Sequence, residues 1–169
     1  MRLILAVLAV AGLAMPAWAY DDPKALVDAI YAPYQVAGKA GEQDPMQFYS
    51  ERLRGIVAAH AAEAVNTLLD SDSVDSVDDV GPAAPALGFN PFIDAQHSLL
   101  MDLSIGAPVV LGDKALVTVA FHNFDNATLL SLSLVKDPDG WKVDDVASLG
   151  QGENWLLSWL LQYDPFQVN

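Results

Sequence analysis

The sequence predicts a single α+β domain in which N-terminal helices pack on a strongly curved antiparallel β-sheet. Three observations carry that expectation. Apolar residues recur at helical spacing from Pro23 to about Leu69. From Leu99 onward the period falls to two, the mark of half-buried strands. The segments of period two are joined by short turns, which suit antiparallel neighbours and leave no room for parallel crossovers. No internal repeat and no linker between two cores interrupts this order.

Residues 1–19, MRLILAVLAVAGLAMPAWA, combine Arg2, the apolar run Leu3 to Met15, the helix-breaking Pro16 and the small-residue exit Ala17-Trp18-Ala19. This is the composition of a cleaved secretory signal ending at Ala19. Its apolar run is shorter than the ~20 residues a membrane span needs. The remaining domain, residues 20–169, is therefore expected in the periplasm or outside the cell. The chain has no cysteine, so the leader is not that of a lipoprotein and no disulfide framework holds the exported fold.

Asp22-Pro23 reads as an N-cap followed by proline at the first helical position. Leu26, Val27, Ile30, Tyr31 and Tyr34 supply its apolar stripe, and Pro33 ends or kinks the helix. Gly38 to Gly41 reads as a loop. Asp44-Pro45 opens a second helix in the same way, with Gln47 placed as in a capping box, and it is expected to run to about Leu69. Phe48, Leu53, Ile56, Val57, His60, Ala64 and Leu68 mark its buried face. Residues 70–88, DSDSVDSVDDVGPAAPALG, have no period of either kind and read as an exposed, mobile acidic loop. Counted as a calcium loop from Asp70, that stretch puts Asp75 at the glycine place and Gly81 at the glutamate place, so the pattern fails.

Leu99 to Val110 forms an irregular strand broken around Gly106-Ala107-Pro108. Gly112-Asp113 turns into Lys114 to Phe121, where Val117, Val119 and Phe121 share a face. A turn at Asp125-Asn126 leads to Leu130, Leu132 and Leu134, alternating with Ser131 and Ser133. Asp137-Pro138-Asp139-Gly140 is a hairpin signal before the strand Trp141 to Val146. Glu153 to Tyr163, with Trp155, Leu156, Trp159, Leu160 and Tyr163, is expected to close the domain as an amphipathic helix.

The net charge is −14, and removal of Arg2 with the leader leaves 7 basic against 22 acidic residues. Such a chain is repelled by phosphate backbones and anionic lipid, which argues against nucleic acid and for a basic protein surface or a cationic small ligand. G-x-S-x-G, a phosphate-binding glycine loop and G-x-G-x-x-G after a strand are all absent, and thiol chemistry is excluded. No metal site or cofactor is expected.

Two clusters remain as candidate sites. In Asn90-Pro91-Phe92-Ile93-Asp94-Ala95-Gln96-His97, Asp94 and His97 stand three apart and could serve as metal ligands or as a base and its orienting acid. The competing reading is an Asn-Pro corner whose Asn90, Asp94 and Gln96 tie down backbone groups. His60 and His122 add no ligand spacing. The second cluster is Asp144-Asp145. Adjacent strand residues point to opposite faces, so the two carboxylates are not expected to act as a pair. Asp145 shares its face with Trp141 and Val143. There it is either a partly desolvated base, with Tyr49 or His97 as hydrogen-bond donor, or a pin held by Arg52, Arg54 or Tyr49. A ligand pocket would draw on Tyr49, Arg52, Asp94, Gln96 and Asp145.

Five groups occur together: Tyr31-Ala-Pro-Tyr34, Tyr49-Ser-Glu-Arg-Leu53, Asn90-Pro-Phe-Ile-Asp-Ala-Gln96, Val117 to Asn123, and Gly140-Trp-Lys-Val-Asp-Asp-Val146. Over most of residues 25 to 147 this combination resembles an uncharacterised family of small exported bacterial proteins, with His97 where that pattern carries an acidic residue. The family resembles the nuclear-transport-factor-two-like, cystatin-like group. The resemblance implies helices wrapped by a bent sheet into a cone with a pocket. Some members of that group isomerise or hydrate small molecules, while many only bind ligands or proteins. The expectation for this chain is a non-enzymatic binding protein. The alternatives are an isomerase or hydratase using Asp145, and a cell-envelope accessory protein docking through Trp155 and Trp159.

Overall fold

The computed structural model describes residues 20–36, 43–70, 87–150 and 152–163, with 67–70 as backbone only. The expected leader and nearly all of the acidic stretch lie outside these residues.

Helix α1, Pro23–Tyr31, forms as its sequence dictates. The Asp22 carboxylate accepts from the Ala25 amide at 3.0 Å, and Pro23 sits where no amide donor is required. A 3-10 turn, Ala32–Gln35, follows at Pro33. The second helix departs from expectation. Asp44-Pro45 opens only a 3-10 turn, Pro45–Phe48, and the chain then runs extended through Tyr49. Helix α2, Glu51–Asp70, begins afresh at Ser50, whose hydroxyl caps the Leu53 amide at 3.1 Å. The cause is tertiary: Tyr49 bridges to Val143, and the Ser50 amide donates to the Val143 carbonyl at 2.8 Å. Leu53 is buried and Ile56, Val57 and His60 are half-buried, but Ala64 is exposed, as α2 leaves the core in its second half.

The sheet has six strands: β1 Leu100–Ile105, β2 Val109–Leu111, β3 Lys114–Asn123, β4 Asn126–Asp137, β5 Gly140–Ser148 and β6 Trp155–Leu156. All pairings are antiparallel, in the order β1-β3-β4-β5-β6. Strand β2 pairs with β3 beyond the end of β1, so the two lie along the same edge with the Gly106–Pro108 bend between them. The sheet is open, and the α+β class expected from the sequence is the class observed. The closing segment is shorter in helix than expected. Trp155 and Leu156 pair with β5, and only Leu157–Gln162 is helical, as α3.

One face of the sheet carries the core. Val117, Val119 and Phe121 of β3 meet Leu130, Leu132 and Leu134 of β4 and Val143 and Val146 of β5. Leu26, Val27, Ile30 and Tyr31 of α1 cover them, joined by Phe92, Ile93, Leu157 and Leu161. Each such side chain removed from water contributes about 1.5–3 kcal/mol. The Tyr31 hydroxyl, pushed to a high pKa by its burial, donates to the Phe92 carbonyl at 2.8 Å and ties α1 to the 90–97 corner.

Strand β5 carries an extra residue. Ser133 opposes Asp145 and Leu134 opposes Val143, which leaves Asp144 as a bulge. The bulge corrects the expectation that Asp144 and Asp145 face opposite ways, because strict alternation stops there. The preceding hairpin turns at Gly140, whose φ is +101°. An added Cβ there would lie 2.7 Å from the Tyr20 carbonyl oxygen, and that carbonyl accepts from the Trp141 amide at 2.8 Å.

Candidate functional site

The corner 90–97 is stitched by its own side chains. The Asn90 Oδ1 accepts from the Phe92 amide at 2.9 Å while its Nδ2 donates to the Tyr34 hydroxyl at 2.8 Å. Asn90 and Ala95 form an isolated bridge, which folds the intervening residues back on themselves. Asp94 sits at the sharp point with φ 52°, a left-handed conformation that Asp tolerates better than most residues. Its carboxylate accepts from the Ser148 hydroxyl and from the Trp155 indole, each at 2.8 Å. Asp94 therefore fastens the corner to β5 and β6. Gln96 and His97 are exposed on the turn. Only the His97 backbone is engaged, its carbonyl accepting from Asn123 Nδ2 at 3.0 Å. Asp94 and His97 do not converge on a common point with the other histidines. His60 Nδ1 contacts the Leu161 carbonyl at 3.0 Å, and His122 lies 3.4 Å from Asp102 on the far face of the sheet.

The second cluster is a charged knot between α2, the β5 bulge and α3. Arg52 Nε lies 3.0 Å and 3.1 Å from the two carboxylate oxygens of Asp144, and Nη2 donates to the Asp144 carbonyl at 2.6 Å. Ser50 Oγ donates to the same carboxylate at 2.7 Å. Burial pushes the Asp144 carboxyl upward, but the hydrogen bonds from Arg52 and Ser50 and the charges of Arg52 and Lys114 outweigh it. The net shift is below the usual carboxylate range. The same contact, Asp144 against the guanidinium, raises Arg52.

Asp145 is nearly buried and fully engaged. Its Oδ1 accepts from the Val146 and Ser158 amides, both at 3.0 Å, and its Oδ2 accepts from the Ser158 hydroxyl. Arg52 Nη2 is 3.7 Å from Oδ2. Helix α3 has no side-chain cap of its own at Leu156, and Asp145 supplies one from the sheet. This geometry is that of the pin, in which both oxygens already hold donors and none is aimed at open space.

Tyr49 joins neither hydrogen-bond network, although it packs on Phe92 of the corner and bridges to Val143 beside the bulge. It is buried, its ring 5.9 Å from that of Phe92, and it lines a separate small cavity with Phe89 and Leu157. The structure thus brings Arg52 and Asp145 together but places Asp94, Gln96 and Tyr49 elsewhere. Sequence reasoning missed Ser50 and Ser158, and it named Trp155 as a docking residue, not as the partner of Asp94. A serine directly before Glu51 was a readable capping signal; Ser158 has no local mark.

The outer face of the sheet around β3 is an open surface, with every second residue of that strand exposed. Leu116, Thr118, Ala120 and His122 of β3 all point there. Two shallow concavities lie on it. One, of about 430 Å³, is walled by residues including Ala120, His122, Leu129 and Leu149; the other, of about 420 Å³, by residues including Val109, Leu111, Leu116 and Val135. Val109 and Leu111 are 70% and 82% exposed. Among the described residues no helix is long and apolar enough to cross a membrane.

No family model matches the chain, and no curated protein matches it. Among solved structures it is similar to a chain in the crystal structure of the type VI native effector–immunity complex Tae3–Tai3 from Ralstonia pickettii. The identity is 16% and the TM-score 0.40, over 79% of this chain and 100% of that chain.

Proposed function

We propose that this protein is a non-enzymatic, exported binding protein whose outer sheet face receives a basic protein partner. The observation that carries the reading is the open apolar face, on which Met101, Val109, Leu111, Leu116 and Leu129 are all exposed. Exposed apolar residues gathered on one face mark interaction surfaces. The strong net negative charge favours a cationic partner, and exposed Asp102, Asp113 and Asp125 lie at the margins of this face. The enzymatic alternative is less well supported, because Asp145 already accepts three hydrogen bonds. Export to the periplasm belongs to the same proposal and rests on the leader-like residues 1–19.

The test is site-specific photocrosslinking in the native cell envelope, with the reactive residue at Leu116 or Leu129 and a control at Ala59 on exposed α2. The expected result is a discrete protein adduct from the sheet positions alone, weakened by salt and lost in Leu116→Asp. Equal adducts at Ala59, or none at any position, would overturn the proposal.

A further inference from the structure

The small cavity beside Tyr49 is a separate feature with chemistry of its own. It has a volume of about 150 Å³ and lies between the start of α2, the 87–91 segment and α3. Its walls include Met46, Val57, Leu87, Phe89, Leu157 and Leu161, a largely apolar set contributed by three different parts of the chain. An apolar cavity of about this size accepts a benzene-sized molecule. The size and lining are therefore those of a site for one small ring.

Tyr49 makes the cavity more than a packing gap. The residue is 3% exposed, and its hydroxyl forms no hydrogen bond within the described residues. Buried tyrosine hydroxyls ordinarily find a partner, as that of Tyr31 does and as that of half-buried Tyr34 does too. Among the described residues no side-chain polar atom sealed from solvent lacks a partner, so the Tyr49 hydroxyl keeps contact with open space, and Tyr49 is one of the residues that line the cavity. Burial, reinforced by Asp44 and Tyr34, pushes this phenol well above its ordinary pKa. It is consequently a permanent donor, offered to an acceptor that the described residues do not provide. Asp44, exposed at the mouth, places a negative charge beside the entrance.

We infer that this cavity is a binding site for a single-ring, uncharged or cationic small molecule, which inserts its ring among Val57, Leu157 and Leu161 and presents a hydrogen-bond acceptor to the Tyr49 hydroxyl. Anionic molecules are disfavoured at the Asp44 mouth. The site is independent of the outer sheet face, so either assignment stands if the other fails.

The experiment titrates the full chain with toluene, benzyl alcohol, benzylamine and benzoate, following the methyl NMR signals of Met46, Val57, Leu157 and Leu161. Saturable shifts at these methyls are expected with benzyl alcohol and toluene, with benzylamine bound and benzoate not. In Tyr49→Phe, affinity for benzyl alcohol should fall roughly fivefold, the loss of one ordinary hydrogen bond, while toluene is unchanged. The ring is retained in that variant and the hydroxyl has no partner among the described residues, so folding should be preserved. Val57→Phe, which fills the cavity from a half-buried position, should abolish binding of all the probes. Absence of saturable shifts with every probe, or an equal loss for toluene and benzyl alcohol in Tyr49→Phe, overturns the assignment.

Discussion

Arg52 holds Asp144 by both its side chain and its backbone, with Nε 3.0 Å from Oδ1 and Nη2 2.6 Å from the carbonyl oxygen. The carbonyl is that of the bulged residue in β5, where the regular ladder is interrupted, and one guanidinium binds both it and the carboxylate of the same residue. Asp145, its neighbour, then reaches α3.

Replacing Arg52 tests this knot directly. Arg52→Ala removes the Nε contact shared by both Asp144 carboxylate oxygens and the carbonyl bond, and should lower stability by about 1–2 kcal/mol, moderated because the pair is half-exposed. Arg52→Lys should recover less than half of the loss, since an ammonium cannot span carboxylate and carbonyl together. Urea denaturation of both variants measures the difference.

The acid response follows from the depressed Asp144 carboxyl. Its folded-state pKa lies below the unfolded value, so its contribution is complete above the unfolded pKa, about 3.9. That contribution is lost as pH falls through the folded value. Wild type should therefore lose stability below about pH 4 with a steeper slope than Asp144→Asn. Thermal melts between pH 2 and pH 6 would show no difference in slope if Arg52 and Ser50 did not hold the carboxylate in its charged form.

Asp145→Ala should cost more, about 2–4 kcal/mol, because it strands the Ser158 amide and hydroxyl and the Val146 amide in a nearly buried place. The damage should concentrate in α3. Hydrogen exchange is expected to quicken at Trp159 to Gln162 before it changes in β3 and β4.

Asp94→Ala should free the Trp155 indole and the Ser148 hydroxyl and also put alanine at φ 52°. A loss of about 1–3 kcal/mol with a red shift of tryptophan emission is expected. Asp94→Asn, which tolerates the left-handed backbone and keeps an acceptor for one donor, should fall between wild type and alanine in both readouts.

Gly140→Ala should destabilise the chain wherever residue 20 is in place. Its φ of +101° is strained for alanine, and the new Cβ would meet the Tyr20 backbone at 2.7 Å and 2.8 Å. The expected signature is a lower Tm together with faster exchange of the Trp141 amide, which donates to Tyr20.

Much of the fold was legible because its signals are local. Asp22-Pro23 caps and starts α1, and the alternation in Lys114 to Phe121 aligns the inward face of β3. Asp137-Pro138-Asp139-Gly140 closes the β4–β5 hairpin at residue-level accuracy, since the Asp137 carboxylate accepts from the Asp139 amide inside the turn. The 90–97 corner was also readable in part. Asn90 and Asp94 brace it, whereas Gln96 points to solvent.

Caps, turn residues and hydrophobic period thus determined the α+β class, the order of elements and the sided core, because each acts over a few neighbouring residues. The start of α2 at Ser50, the bulge at Asp144 and the cap on α3 were decided elsewhere. Ser50 meets Asp144 across 94 residues of sequence, and Trp155 meets Asp94 across 61. One inserted residue in β5 reverses the strand's parity, and no local pattern announces it. The need to satisfy the bulged carbonyl and two adjacent carboxylates arises only when sheet and helices come together. That need selects Arg52, Ser50 and Ser158 as its partners.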